Sequence, residues 1–125
     1  MKWAVDARVE PDGPAEAGST VWVWVKAEPT EPATCRAVHC ELVWATGGRG
    51  TPDRACVFTG RKDGGAAAPG TPLTAEFQIA LPAAGPITYG GRLIAIGWHV
   101  RVWVDLAWTQ DPEAVVPLVV VPRRG

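Results

Sequence analysis

Apolar residues in this chain recur at every second position through one run after another, and clusters of Pro and Gly separate the runs. A period of two belongs to β-strands, whose successive side chains point to opposite faces; a helix would scatter the same residues around its circumference. The first run, Lys2–Glu10, sets Trp3, Val5, Ala7 and Val9 against Asp6, Arg8 and Glu10, and Pro11-Asp12-Gly13-Pro14 supplies the turn that ends it. In Thr20–Glu28, Val21, Val23 and Val25 share one face, and Trp22, Trp24 and Lys26 share the other. Neither face is plainly wet. Thr34–Thr46 carries the row Val38, Cys40, Leu42 and Trp44, after which Gly47-Gly48-Arg49-Gly50-Thr51-Pro52 reads as a turn.

Arg54–Gly60 is a shorter and weaker strand signal around Cys56, Val57 and Phe58, and the Gly- and Ala-rich stretch Lys62–Pro72 reads as a loop. Leu73–Leu81 alternates cleanly, with Leu73, Ala75, Phe77, Ile79 and Leu81 inward. The strongest pattern is Arg92–Thr109, where Ile94, Ile96, Trp98, Val100, Val102, Val104, Leu106 and Trp108 hold one parity. One unbroken strand of that length would extend roughly 50 Å, so a bend, bulge or change of sheet is predicted near Gly97 or Asp105. Val115–Val121 comes last, and Pro117, lacking an N–H, belongs at an edge or a bulge. These strands, with no convincing helix, predict an all-β, immunoglobulin-like two-sheet antiparallel β-sandwich of about seven strands. The Cys–Trp–Cys spacing of true immunoglobulin domains is absent. A length of 125 residues fits a single domain over residues 1–125.

Charge narrows the function classes. Twelve basic and thirteen acidic residues give a net charge of -1, so no stripe is available to neutralise phosphates, which argues against nucleic acid as a partner. The densest basic spot, Arg123-Arg124, reads as solvated tail. No apolar run of 18 residues predicts a membrane span, and Met1–Asp6 lacks the apolar stretch of a signal peptide. A cytoplasmic location is therefore expected. Three cysteines, an odd and sparse number, suit a reducing compartment. Cys35 and Cys40 sit five apart on one predicted strand, hence on opposite faces, and should not pair; Cys40 with Cys56 stays open in an oxidising setting.

Candidate chemistry is thin. Ser19 is the sole serine and opens a strand beside Gly18, a turn position. His39 and His99, the two histidines, lie on the less apolar parity of their strands. Cys35 and His39 share a face but are about 13 Å apart along an extended strand, far beyond hydrogen-bond reach. Asp53 and Asp63 occupy separate turns, Glu10 and Asp12 flank a Pro, and no Cys-x₂-Cys or His-x₃-His spacing exists. Gly47-Gly48-Arg49-Gly50 precedes no helix that could complete a phosphate cradle. The expectation is a protein that is not an enzyme, with no metal and no cofactor.

Tryptophan is the outlier, with seven residues. Trp44, Trp98 and Trp108 fall on core parities. Trp22 and Trp24 oppose the valines of their strand, and Trp103 opposes Val102 and Val104. These three are either covered by Lys62–Pro72 or the N-terminal strand, or they form an interaction surface for another protein or a second copy of the chain. A ligand platform is the third option. The expected role is a non-catalytic protein-interaction or structural module. A carbohydrate-binding module, using flat Trp faces against sugar rings, is the alternative.

The second half of the chain resembles a known family. Phe77-Gln78-Ile79-Ala80-Leu81-Pro82, followed by Pro86-Ile87-Thr88-Tyr89-Gly90-Gly91, is similar to the arrestin-like family, where a strand ending in Leu-Pro leads into a Pro-x-x-Tyr-x-Gly loop. The continuation Leu93-Ile94-Ala95-Ile96-Gly97-Trp98-His99-Val100-Arg101-Val102-Trp103-Val104-Asp105 resembles the long strand that follows there, and Cys35–Trp44 matches a strand in mid-domain. The specific part lies in residues 77–105. Arrestins and their bacterial relatives of the sporulation-control type are built from two such sandwiches, and this chain has length for one. The resemblance implies an arrestin-like sandwich and an adaptor's role in binding partner proteins, with no functional residues attached.

Overall fold

The computed structural model describes residues 2–49, 52–91, 94–107 and 109–123. Arg92, Leu93, Trp108 and Arg124 therefore lie outside the described residues. The rest forms an all-β, sandwich-like arrangement of ten strands among the described residues: β1 (Trp3–Glu10), β2 (Ala15–Glu16), β3 (Thr20–Pro29), β4 (Ala33–Gly48), β5 (Arg54–Ala67), β6 (Leu73–Ala80), β7 (Tyr89–Gly90), β8 (Ile94–Asp105), β9 (Glu113–Leu118) and β10 (Val120–Val121). They pair into three sheets, not two. One is three-stranded in the order β1-β3-β6, and one is five-stranded in the order β5-β4-β8, with β7 and β9 both along the far side of β8. The third is the parallel pair β2–β10, which ties Ala15-Glu16 to Val120-Val121. Two-residue strands carry no periodicity, which is why the third sheet has no signal in the sequence.

The alternation explains the packing. On β3, Val21, Val23, Val25 and Ala27 are buried and the residues between them are not. On the facing sheet, Cys40, Leu42, Val100 and Val102 are fully buried, and Trp98 is nearly so, its indole N–H donating to the Pro86 carbonyl at 3.2 Å. These inner faces, with Phe77 and Ile79 of β6, form one continuous core. Each large aliphatic side chain removed from water there contributes about 1.5–3 kcal/mol. A smaller cluster of Ala27, Cys35 and Val104, flanked by Trp3, Leu73 and Leu106, closes one end.

Two expectations need correction. Residues 62–67 are not loop: β5 continues to Ala67, pairing Asp63 with Ala37, Gly65 with Cys35 and Ala67 with Ala33. Gly64 shows why its composition misled. A Cβ there would stand 2.3 Å from the Cys35 carbonyl oxygen, so the strand needs glycine where another backbone approaches closely. Near Gly97, β8 carries no bulge in its pairing with β4, since that ladder runs without a shift from Gly48↔Ile94 to Ala37↔Asp105, and the strand ends at Asp105. The irregularity falls on β5 instead, where Leu42 pairs Phe58 and Val43 pairs Cys56, leaving Val57 as the extra residue of a bulge. Pro117 lies on β9, which pairs only β8, the edge position that a residue without an N–H was expected to take.

Candidate interaction surface

The outer face of the β1-β3-β6 sheet is built in rows across its three strands. Register places Arg8, Trp24 and Glu76 in one row, Glu10, Trp22 and Gln78 in the next, and Asp6, Lys26 and Thr74 in a third. Because Val21, Val23 and Val25 fill the inner face, the two tryptophans must point outward, and each is 37% exposed. Their rings are nearly parallel, at 17°, with centroids 6.4 Å apart. Arg8 lies over Trp24, 5.6 Å from the ring centroid, and donates to Glu10 Oε1 at 3.1 Å. A cation over an exposed indole contributes about 0.5–1 kcal/mol, and an exposed ion pair adds less. Neither expected cover lies over the tryptophans, although the 68–72 turn meets the end of this face, where Gly70 N–H donates to Glu28 Oε2 at 3.1 Å. The N-terminal strand β1 sits beside β3 within the same sheet, and residues 62–67 belong to the other sheet.

Trp103 is on the outer face of the five-stranded sheet, a sandwich's thickness away, since packed sheets lie about 10 Å apart. The structure thus brings Trp22 and Trp24 together and leaves Trp103 on the opposite side. There the indole is already engaged: the His39 ring stacks on it at 5.0 Å and 14°, and the Arg101 guanidinium lies 4.2 Å from its centroid. His39 is Trp103's register partner on β4, and its Nε2–H donates to Asp105 Oδ2 at 3.3 Å. Arg36 donates from Nε and Nη2 to Asp105 Oδ1 at 3.0 and 2.6 Å. Those guanidinium bonds, joined by the His39 contact, hold the Asp105 carboxyl below the usual carboxylate range despite partial desolvation. Further along the face Arg101 meets both Glu113 and Glu41, and Arg54 meets Glu41 from β5. Ala37 and Val43 share this face yet are fully buried.

These groups do not assemble a nucleophilic site. Ser19 Oγ donates to the Glu16 carbonyl at 2.6 Å, a turn bond. Cys35 is buried in the end cluster, away from the outward His39. Cys40 is in the core and Cys56 is exposed on the opposite face near Glu41, so those two thiols do not pair. Among the described residues no three His, Cys, Asp or Glu side chains are grouped to hold a metal. The open cleft between β1 and β9 is lined by residues 6–14 and 116–119, which include no histidine, serine or cysteine. Sequence reading noted His39 and Trp103 separately and missed their network. Both stand on the outward parity of long strands, but only the register of β4 against β8 makes them neighbours.

The geometry defines a β-sandwich protein whose outer sheet faces, rather than a deep cleft, carry its distinctive side chains. No protein-family model matches the chain, and no curated protein does. Among solved structures it is similar to the crystal structure of Spo0M, sporulation control protein, from Bacillus subtilis, with a TM-score of 0.77 and 20% sequence identity. The match covers 94% of this chain and 49% of that one, so the chain spans about half the length of the protein it matches. The resemblance to the sporulation-control type thus holds for the fold over nearly the whole chain.

Proposed function

We propose that this chain is a non-catalytic protein-interaction module of the arrestin-like sandwich type. It works in the cytoplasm and docks partner proteins, a second copy of the chain among them, through the outer face of the β1-β3-β6 sheet. One observation carries the reading: Trp22 and Trp24 stand side by side, each 37% exposed, ringed by Arg8, Glu10, Glu76 and Gln78. A central aromatic pair with a polar rim is the anatomy of a binding hot spot. The fold likeness to a sporulation control protein supports a regulatory role, and three free thiols are compatible with a reducing compartment. Trp103, held between imidazole and guanidinium, stabilises its own sheet face and makes a smaller contribution to docking.

The test compares proteins captured from source lysate by the wild-type domain and by W22A/W24A, quantified by mass spectrometry. Specific partners should drop at least about tenfold with the double variant, the loss of roughly 1.4 kcal/mol or more. Equal capture by both rejects this face as a docking site for other proteins. A carbohydrate platform is the second reading, favoured by the near-parallel indoles. It requires a saturable change in tryptophan fluorescence on titration with soluble polysaccharides, and a flat response removes it.

A further inference from the structure

The β1-β3-β6 face is complementary to itself under a two-fold rotation, and we infer that its occupant is a second copy of this chain, packed face to face; this rests on the reading of the face as a docking surface. The argument is one of register. Consider a two-fold axis lying in the plane of the face and running across the strands, midway between the Trp22 and Trp24 rows. Rotation about it lays the Trp24 row of one copy over the Trp22 row of the other. Trp24 meets Trp22 of the second copy, and the contact occurs twice. At the β1 edge, Arg8 meets Glu10 of the second copy, also twice, because the rows are Arg8–Trp24–Glu76 and Glu10–Trp22–Gln78. At the β6 edge Glu76 meets Gln78. One row further out, Lys26 meets Thr20 and Thr74 meets Ala80, while Asp6 lies at the rim past the end of the facing β1.

The competing two-fold axis, running along β3, would also pair Arg8 with Glu76 of the second copy twice, but it sets β3 against its own copy. Residues under such an axis face their own copies, so Lys26 would oppose Lys26 and Glu28 would oppose Glu28. Like charges in direct opposition are what specific interfaces avoid. Arg8 is also well placed for the favoured arrangement. It already lies on the face, over Trp24 and beside Glu10, so little ordering is needed before it engages a partner's carboxylate. Three strands give a face about 14 Å wide and about 25 Å long, which places the contact at the low end of interface sizes. The dimer is therefore weak and forms in a concentration-dependent way.

Sedimentation velocity on the whole chain, from about 5 to about 500 μM, reads it out. Wild type should pass from monomer to dimer across the series. R8E puts two acids at the β1 edge and E10R puts two arginines there. Each alone should lower the self-association constant at least about tenfold by setting like charges opposite one another. Mixed one to one, the two variants should form a heterodimer at least as stable as the wild-type dimer. Both positions are on the outer face, and thermal melts check that each variant folds. A wild type that stays monomeric throughout, variants that associate like wild type, or a mixture that fails to recover the dimer overturns the inference. If wild type is monomeric but W22A/W24A still loses its captured partners, the dimer is rejected and the docking surface stands. If the dimer behaves as described but capture from lysate is unaffected by W22A/W24A, the second copy is the occupant and docking of other proteins there is rejected.

Discussion

Cys40 and Asp105 titrate in opposite directions because one is buried without a countercharge and the other is half-buried against the Arg36 guanidinium. Burial, with a smaller push from the adjacent Glu41 carboxylate, drives the Cys40 thiol up from 9.0 to about 12. A raised pKa means the folded state favours the protonated thiol, so its stabilising effect is complete below the unfolded value and is lost as pH rises from about 9 toward 12. Reactivity follows the thiolate, so a brief iodoacetamide pulse at about pH 8 should label Cys56 in the native protein and leave Cys35 and Cys40 for the denatured chain. Peptide mapping showing native Cys40 labelled as fast as Cys56 would contradict its place in the core. Asp105 works the other way. Its pKa is lowered in the folded state, first by the Arg36 bonds, so it stabilises above its unfolded pKa and loses that effect as pH falls through the folded value. Asp105→Asn should lower the melting temperature at pH 7, and the gap to wild type should close toward pH 3. A gap independent of pH would mean that the carboxylate's charge does not matter.

The strands divide by how loudly they announce themselves. β1, β3, β6 and β8 are legible because one parity of each is apolar and the sandwich core needs that face. The second half of β5 is silent, since residues 62–67 carry no large apolar side chain and their role is to let two backbones approach. Gly64→Ala tests this. Its Cβ would fall 2.3 Å from the Cys35 carbonyl oxygen and 2.7 Å from the Arg36 carbonyl carbon, backbone atoms that cannot rotate away. Urea denaturation should show a loss of roughly 1–3 kcal/mol. Gly97→Ala is the control: it lies in β8, with nothing within 4 Å of the added carbon and φ outside the left-handed region, and should change stability by less than about 0.5 kcal/mol. If the two substitutions behave alike, residues 62–67 do not hold the strand position described.

For the molecule as a whole, the core and the two outer faces should be separable by mutation. Leu42 is fully buried in the core, so Leu42→Ala should cost about 2–5 kcal/mol. W22A/W24A removes two larger side chains from an outer face, where part of their surface is still wet, and should leave a folded sandwich with a much smaller loss. Paired denaturant melts decide it. A double variant as destabilised as Leu42→Ala would show that the indoles hold the fold together and are not free for a partner. Trp103→Ala belongs between the two, because it strips His39 and Arg101 of their shared ring.

By itself the sequence determined what alternation can determine: an all-β chain and which residues of each strand share a face, with Val21, Val23 and Val25 opposite Trp22 and Trp24, while burial in the folded sandwich decided which of those two faces is inward. Shared faces are local properties, fixed because a side chain two positions along a strand must return to the same face. What the tertiary structure decided was which strands lie side by side. Register between β4 and β8 made His39, Trp103 and Asp105 one network, although 64 and 66 positions of chain separate His39 from the other two. The division of strands between sheets put Trp103 and the Trp22–Trp24 pair on opposite sides of the sandwich, a choice no parity rule contains. The parallel pairing of Ala15-Glu16 with Val120-Val121 joins segments too short to have a period at all. In each case the deciding contact is between residues distant in sequence, and a periodic pattern carries no information about its partner.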